Sequence, residues 1–151
     1  MQYFFPAVFA AVLVAIDQFT KYRTVLTIAP GEKVPLIDGL AHFTYVENTG
    51  AAFSMLSGKT WFFLLVTAVF FALVSIAVRK KWFSGTLSIW ALAAVCGGAV
   101  GNLIDRIMTG YVVDMIELEF IKFPVFNFAD CCITVGAVIL VLAVLLEKKP
   151  K

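Results

Sequence analysis

The longest uncharged stretch of the chain runs from Trp82 to Ile104 and constrains what the chain can fold into. An α-helix rises about 1.5 Å per residue, so about 20 apolar residues cross the hydrocarbon core of a bilayer. This stretch exceeds that length, and a second uncharged window, 60–78, comes within one residue of it. Two further windows, 1–16 and 131–146, are shorter. They reach membrane length only with polar ends, Asp17 to Lys21 in the first and Asn127 to Asp130 in the last. Four transmembrane helices are expected, near 3–21, 60–78, 84–104 and 127–146. Composition agrees: 62% of the 151 residues are apolar and 15% charged, with a mean hydropathy of +0.96. Soluble domains carry about 25% charged residues. A water-soluble monomer could not bury this much apolar surface, and a disordered chain is excluded on the same grounds. The expectation is one membrane-embedded domain over 1–151, all-α in its spans. The first window lacks a basic leading region and a convincing small-residue cleavage site, so it reads as a retained helix.

Four spans put both termini on one side. The 12 Lys and Arg residues divide six and six between the two sides, so density decides rather than number. Arg79-Lys80-Lys81 fills one tight turn, and Lys148, Lys149 and Lys151 crowd the C-terminal tail. Short juxtamembrane clusters of this kind favour the cytoplasm. Both termini are therefore expected inside, with 22–59 and 105–126 facing outward. The net charge of +2 comes with no basic block, which argues against nucleic acid as a partner. The outward connections carry strand signals. Asp38-Gly39 marks a turn between apolar runs, residues 42–46 suit a strand, and 111–121 alternates in part before stopping at Pro124. A small extracytoplasmic β element lying on the membrane is expected.

Polar residues at membrane depth are costly and mark function by default. Here they gather at the outward helix ends. Asp17, Thr20 and Lys21 close the first helix, Asn102, Asp105 and Arg106 close the third, and Asn127 and Asp130 open the fourth. Asp114 lies on the loop joining the last two. Lys21 stands four residues after Asp17, the spacing of a helical ion pair. Asp105 and Arg106 are adjacent and do not face each other. Asp114 and Asp130 have no cation within four residues. Two acids brought close cannot both ionise, and a pair sharing one proton can act on water as base and acid. Alternatively, all four acids are salt-bridged or hydrated at the interface. Spacing alone leaves both readings open.

Other residues admit plainer readings. Asn48, two residues before Gly50, suits a turn and helix entry. Gly97, Gly98 and Gly101 favour close helix packing over room for a lipid or peptide beside the third helix. Cys96, Cys131 and Cys132 form no disulfide framework and read as small apolar filler. His42 is the only histidine, so a thiol hydrolase would have to pair it with Cys131 or Cys132. Zinc signatures, phosphate-binding loops and nucleophile elbows are missing from the sequence.

Five motifs occur in order: Asp17-Gln18-Phe19-Thr20-Lys21, Asn48-Thr49-Gly50-Ala51-Ala52-Phe53, Gly97-Gly98-Ala99-Val100-Gly101-Asn102-Leu103-Ile104-Asp105-Arg106, Val112-Val113-Asp114 and Phe126-Asn127-Phe128-Ala129-Asp130. Together they resemble bacterial lipoprotein signal peptidase, signal peptidase II, over nearly the whole chain. The resemblance implies an aspartic endopeptidase of the bacterial inner membrane, with its active site at the extracytoplasmic face. It implies that Asp114 and Asp130 form the catalytic dyad. Asn48, Asn102, Asp105, Arg106 and Asn127 would bind substrate or support the dyad, and Asp17 with Lys21 would form a structural ion pair. The implied substrate is a diacylglyceryl prolipoprotein, cleaved just before its lipidated lipobox cysteine. No metal or cofactor is implied. Membrane lipid is the other expected partner, and the chain is expected to act as a monomer. The outward loop is expected to form a β-cradle. Met115 departs from the aromatic often found at its position, and Cys131-Cys132 replace residues that are usually small or hydroxylated. A proton-relaying transporter would favour a mid-span carboxylate, which this chain lacks. A non-catalytic scaffold would not need two uncompensated acids.

Overall fold

The computed structural model describes residues 2–50, 56–83 and 85–146. Ala51, Ala52 and Phe53 of the Asn48 motif, and the tail lysines 148, 149 and 151, lie outside them. The elements follow the order α1 (Phe4–Thr27), β1 (Val34–Ile37), β2 (Ala41–Asn48), α2 (Thr60–Arg79), α3 (Thr86–Met108), β3 (Val112–Leu118) and α4 (Phe128–Leu146). All four helices are long and apolar enough to cross a membrane. The fold is therefore a four-helix membrane bundle with a small sheet.

Two helices differ from the sequence expectation. Helix α1 continues past Lys21 to Thr27, and α3 continues past Ile104 to Met108. Asp17, Lys21, Asp105 and Arg106 thus sit within helices and do not close them. The reason is electrostatic. Lys21 meets both Asp17 and Asp105 at salt-bridge distance, so the charged turns stay helical while buried. Helix α2 ends where the basic turn begins. Lys81 adopts φ 53°, the Lys81 amide donates to the Val78 carbonyl and the Trp82 amide to the Ala77 carbonyl, which turns the chain sharply toward α3.

The sheet joins the two outward-read connections. Strand order is β1-β2-β3, antiparallel throughout. Gly39, at φ 70°, makes the β1–β2 turn that Asp38-Gly39 signalled. The β2–β3 register changes by one residue between Phe43 and Val46, so Thr44 and Tyr45 together oppose Met115. This bulge has a chemical consequence. A one-residue slip moves every later side chain to the other face. With the bulge, Asn48 pairs with Val112 and lies diagonally beside Asp114 on the same face. Without it, the two side chains would point to opposite faces.

Helix α3 is the core of the bundle. Eleven of its residues are buried, against only Ala77 in α2. It packs on both α4 and α1, and its glycines make those approaches possible. A Cβ on Gly97 would stand 3.0 Å from the Ala10 carbonyl oxygen of α1. One on Gly98 would run into the Ala129 carbonyl and lie 2.8 Å from Ile133 of α4, and one on Gly101 would strike the Asp17 carboxylate. The packing reading of these glycines holds. The space beside them is filled by α1 and α4 and is no berth for a lipid. Gly98→Ala is expected to cost about 1–3 kcal/mol through overpacking against backbone. It should lower the thermal midpoint in detergent, whereas Ala72→Val on the exposed side of α2 should leave it unchanged.

Candidate active site

At the sheet end of the bundle, Lys21 is almost fully buried, and its ammonium has three donors to place. They go to Asp17 Oδ2 at 2.8 Å, Asp105 Oδ2 at 2.9 Å and Asn102 Oδ1 at 2.9 Å. The expected pair of Asp17 and Lys21 is present, and it is part of a larger cluster. Asp105 takes Lys21 as its cation and not the adjacent Arg106. Both acids also hold backbone. Asp17 Oδ1 accepts the Ala129 amide in the first turn of α4 at 2.9 Å, and Asp105 Oδ2 accepts the Val113 amide at 3.1 Å. Helix N-termini leave their first amides without partners, so Asp17 satisfies one of those of α4 from another helix.

Asn102 and Asn127 connect this cluster to the other two acids. An ammonium can only donate, so Lys21 requires the oxygen of Asn102 and leaves its Nδ2 for Asp130 Oδ1, at 2.8 Å. Asn127 caps α4. Its Oδ1 accepts the Asp130 amide at 2.9 Å while Asp130 Oδ2 accepts the Asn127 amide at 3.2 Å, a reciprocal capping box. With its oxygen so engaged, Asn127 turns Nδ2 to Asp114 Oδ1 at 2.7 Å and to Asn102 Oδ1 at 3.1 Å. Asn48 Nδ2 donates to the second oxygen of Asp114 at 2.8 Å. Among the described residues, every buried side-chain nitrogen and oxygen has a hydrogen-bond partner.

The four acids therefore divide into two kinds. Asp17 and Asp105 are neutralised by Lys21. Asp114 and Asp130 make no ion pair among the described residues and receive only neutral amide donors. Burial pushes the Asp114 carboxyl up to about 6, and the negative charge of Asp130 adds to the rise. The Asn48 and Asn127 amides pull the other way by favouring the ionised form.

A cavity of about 420 Å³ opens over both carboxylates. Asn48, Asn102 and Arg106 contribute to its polar wall, and Phe123, Val125, Phe126 and Val135 to its apolar one. The Arg106 guanidinium lies 4.8 Å over the Phe63 ring and donates to the Gly50 carbonyl at 3.3 Å. It faces the cavity without touching an acid. The thiol alternative is not assembled. Cys131 lines the cavity, but His42 lies on the sheet, with Nε2 2.6 Å from Glu117 and Nδ1 3.1 Å from Glu119. Gln18 is the cluster member that the sequence reading did not single out. Its Nε2 reaches Asp17, Asp105 and the Gly101 carbonyl. Its place within the Asp17–Lys21 motif was the signal it offered, and a glutamine at a helix position carries no charge pattern to reveal a partner on another helix.

Comparison with known proteins places the chain in a family. The family model described as signal peptidase (SPase) II matches residues 9–146. A lipoprotein signal peptidase of Brevibacillus brevis is 46% identical over 140 residues, covering 93% of this chain and 94% of its own. One from Nostoc punctiforme is 46% identical over 132 residues, covering 85% and 81%. A third, from Enterococcus faecalis, is 40% identical over 143 residues, covering 93% and 87%. A solved structure described as a bacterial membrane enzyme aligns with a TM-score of 0.88 at 33% identity, over 99% of this chain and 97% of that one. Sequence and fold thus match along almost the entire length, and the chain belongs to the signal peptidase II family of membrane proteases.

Proposed function

We propose that this protein is an aspartic endopeptidase that removes the signal peptide from diacylglyceryl prolipoproteins, cleaving just before the lipidated lipobox cysteine. The observation that carries the reading is the sorting of the acids. Asp114 and Asp130 face one cavity with no cation bound to either among the described residues, while Lys21 takes the other two. The names of the relatives supply the lipoprotein substrate.

In this mechanism one proton is shared by the pair. The ionised carboxylate takes a proton from water, and the oxygen attacks the carbonyl carbon of the residue before the cysteine. The protonated carboxyl supports the developing oxyanion. A proton then passes to the cysteine nitrogen, and the C–N bond breaks. The products are a signal peptide with a new carboxylate and a lipoprotein with a free amino group on its cysteine. Asn48, Asn102 and Asn127 keep both carboxylates oriented, Asp105 anchors β3 beside Asp114, and Arg106 faces the peptide from the cavity wall. The protein is read as acting as a monomer. The apolar wall suits acyl chains, and two such chains give firm membrane anchoring.

The protein would span the inner membrane with both termini in the cytoplasm and the dyad at the extracytoplasmic face. Supporting this orientation, α2 starts beside the sheet, where Thr60 Oγ1 donates to the Gly110 carbonyl at 2.9 Å, and its far end carries Arg79, Lys80 and Lys81.

Asp114→Asn and Asp130→Asn remove a charge at nearly constant volume. Each is expected to cut turnover of a lipidated precursor by about three orders of magnitude or more while the protein stays folded. Cys131→Ala and Cys132→Ala should keep most activity. An active Asp130→Asn protein beside a dead Cys131→Ala protein would replace the aspartyl mechanism by a thiol one.

The pH profile of kcat/KM gives a second check. Its alkaline limb reports loss of the proton held by the pair, a property of the two acids together. Asn48→Ala removes a donor that favours ionised Asp114, so the Asp114 carboxyl should rise further. The proton is then kept to higher pH, and the alkaline limb should move upward. A downward shift would contradict the assignment of that limb to Asp114. Finally, the lipidated precursor should be cleaved much faster than its unlipidated form in the same detergent; equal rates would defeat the diacylglyceryl requirement.

A further inference from the structure

A neutral side chain from α1 stands beside the two acids that Lys21 pairs. Gln18, half-buried on α1, directs Nε2 at three acceptors: Asp105 Oδ1 at 2.9 Å, the Gly101 carbonyl at 3.1 Å and Asp17 Oδ2 at 3.2 Å. Two hydrogens serve three acceptors, so the contact is shared. Asp105 is the acceptor most dependent on it. Its Oδ2 has two donors, Lys21 and the Val113 amide, whereas among the described residues Oδ1 has Gln18 alone. The residue is only 7% exposed, so an oxygen left bare there has little water to turn to.

We propose that Gln18 is a positioning residue for Asp114 and Asp130, acting through Asp105 and the Gly101 carbonyl. The inference rests on those two acids being the reactive pair. With Gln18 in place, both oxygens of Asp105 are held, and the carboxylate keeps Oδ2 on the Val113 amide. Val113 precedes Asp114 in β3, so this bond sets where the Asp114 side chain begins. Without Gln18, the Asp105 carboxylate turns to bring Oδ1 to a donor. The Val113 amide is a neutral donor and the Lys21 ammonium a charged one, so the weaker bond to Val113 yields first. The second arm is shorter. Gly101 precedes Asn102, whose amide holds Asp130, so the Gln18 contact ties α1 to α3 at the turn that orients that amide. A glutamine suits this place because it donates without adding charge. A glutamate would set a third carboxylate beside Asp17 and Asp105 around the single ammonium of Lys21.

The test uses the full chain in detergent, a lipidated precursor peptide, and rates expressed per folded molecule. Gln18→Leu should lower kcat by about 10- to 100-fold, the scale of a misplaced reacting group, with KM within about twofold of the parent. Gln18→Glu keeps the size but donates only when its carboxyl is protonated. Its kcat, divided by that of the parent at the same pH, should rise as pH falls. A merely structural side chain would change the folded fraction and leave this ratio flat. A parental kcat in Gln18→Leu overturns the inference, as does a ratio in Gln18→Glu that does not vary with pH. If Gln18→Leu fails to fold, the Gln18→Glu ratio decides. Asp114→Asn is measured in parallel. Full activity there would sink the assignment of the reactive pair itself, whereas a dead Asp114→Asn beside a parental Gln18→Leu would sink only the role of Gln18.

Discussion

A primary ammonium has three hydrogens and no lone pair, and at Lys21 this simple inventory organises the interior. Away from water, each hydrogen needs an acceptor, and a buried charge is tolerated only when it is paired and fully hydrogen-bonded. Asp17, Asp105 and Asn102 meet the requirement, drawing α1 and α3 to a common point. The same pairing removes the cost of two carboxylates inside apolar helices. It also determines which way the Asn102 amide faces, and hence that Asp130 receives a donor.

From this point the network reaches every element of the site. Asp17 extends to the first turn of α4, Asp105 to β3, and Asn102 to Asn127 and Asp130. Close approach of the helices is a precondition. Gly101 leaves room for the Asp17 carboxylate, and Gly98 lets the α4 backbone meet α3. Small residues and charged residues are therefore one device here: the glycines bring the helices within hydrogen-bond reach, and the ion cluster holds them there. Since Lys21 is consumed by the outer pair of acids, Asp114 and Asp130 remain without a bound cation among the described residues. Burial then favours the protonated form of Asp114.

The sheet contributes through its irregularity. A regular β2–β3 ladder would place Asn48 and Asp114 on opposite faces; the bulge at Thr44 and Tyr45 puts them on one. Bulges re-aim side chains at the cost of a locally broken ladder, and here the re-aimed side chain donates directly to an acid of the candidate dyad. His42, across from Glu117 in the same ladder, shows the complementary outcome. It is the chemically most versatile side chain in the sequence, yet its ring nitrogens are occupied by Glu117 of β3 and Glu119 just beyond that strand.

Much of the architecture was legible in the sequence, because bilayer thickness turns the length of an uncharged run directly into a span. The spans drawn from the four windows and their polar ends located α2 almost to the residue and α4 within one residue at its start. The Asp38-Gly39 turn could be read for a similar reason: local backbone chemistry decides it. The gathering of polar residues at one end followed from antiparallel threading. The helix ends near Lys21 and Asp105 could not be read, since charges signal a terminus unless a partner on another helix neutralises them. The division of the four acids depended on tertiary structure as well. Sequence spacing offered Lys21 to Asp17 and left Asp105 beside an Arg106 that does not face it, but only the packing of α1 on α3 showed that Lys21 serves both acids and that Arg106 turns to the cavity. Gln18 and the β2–β3 bulge were hidden for the same physical reason. Gln18 acts on Asp105 and the bulge brings Asn48 to Asp114, partners on distant elements of the chain, and no local pattern encodes contacts at such separations.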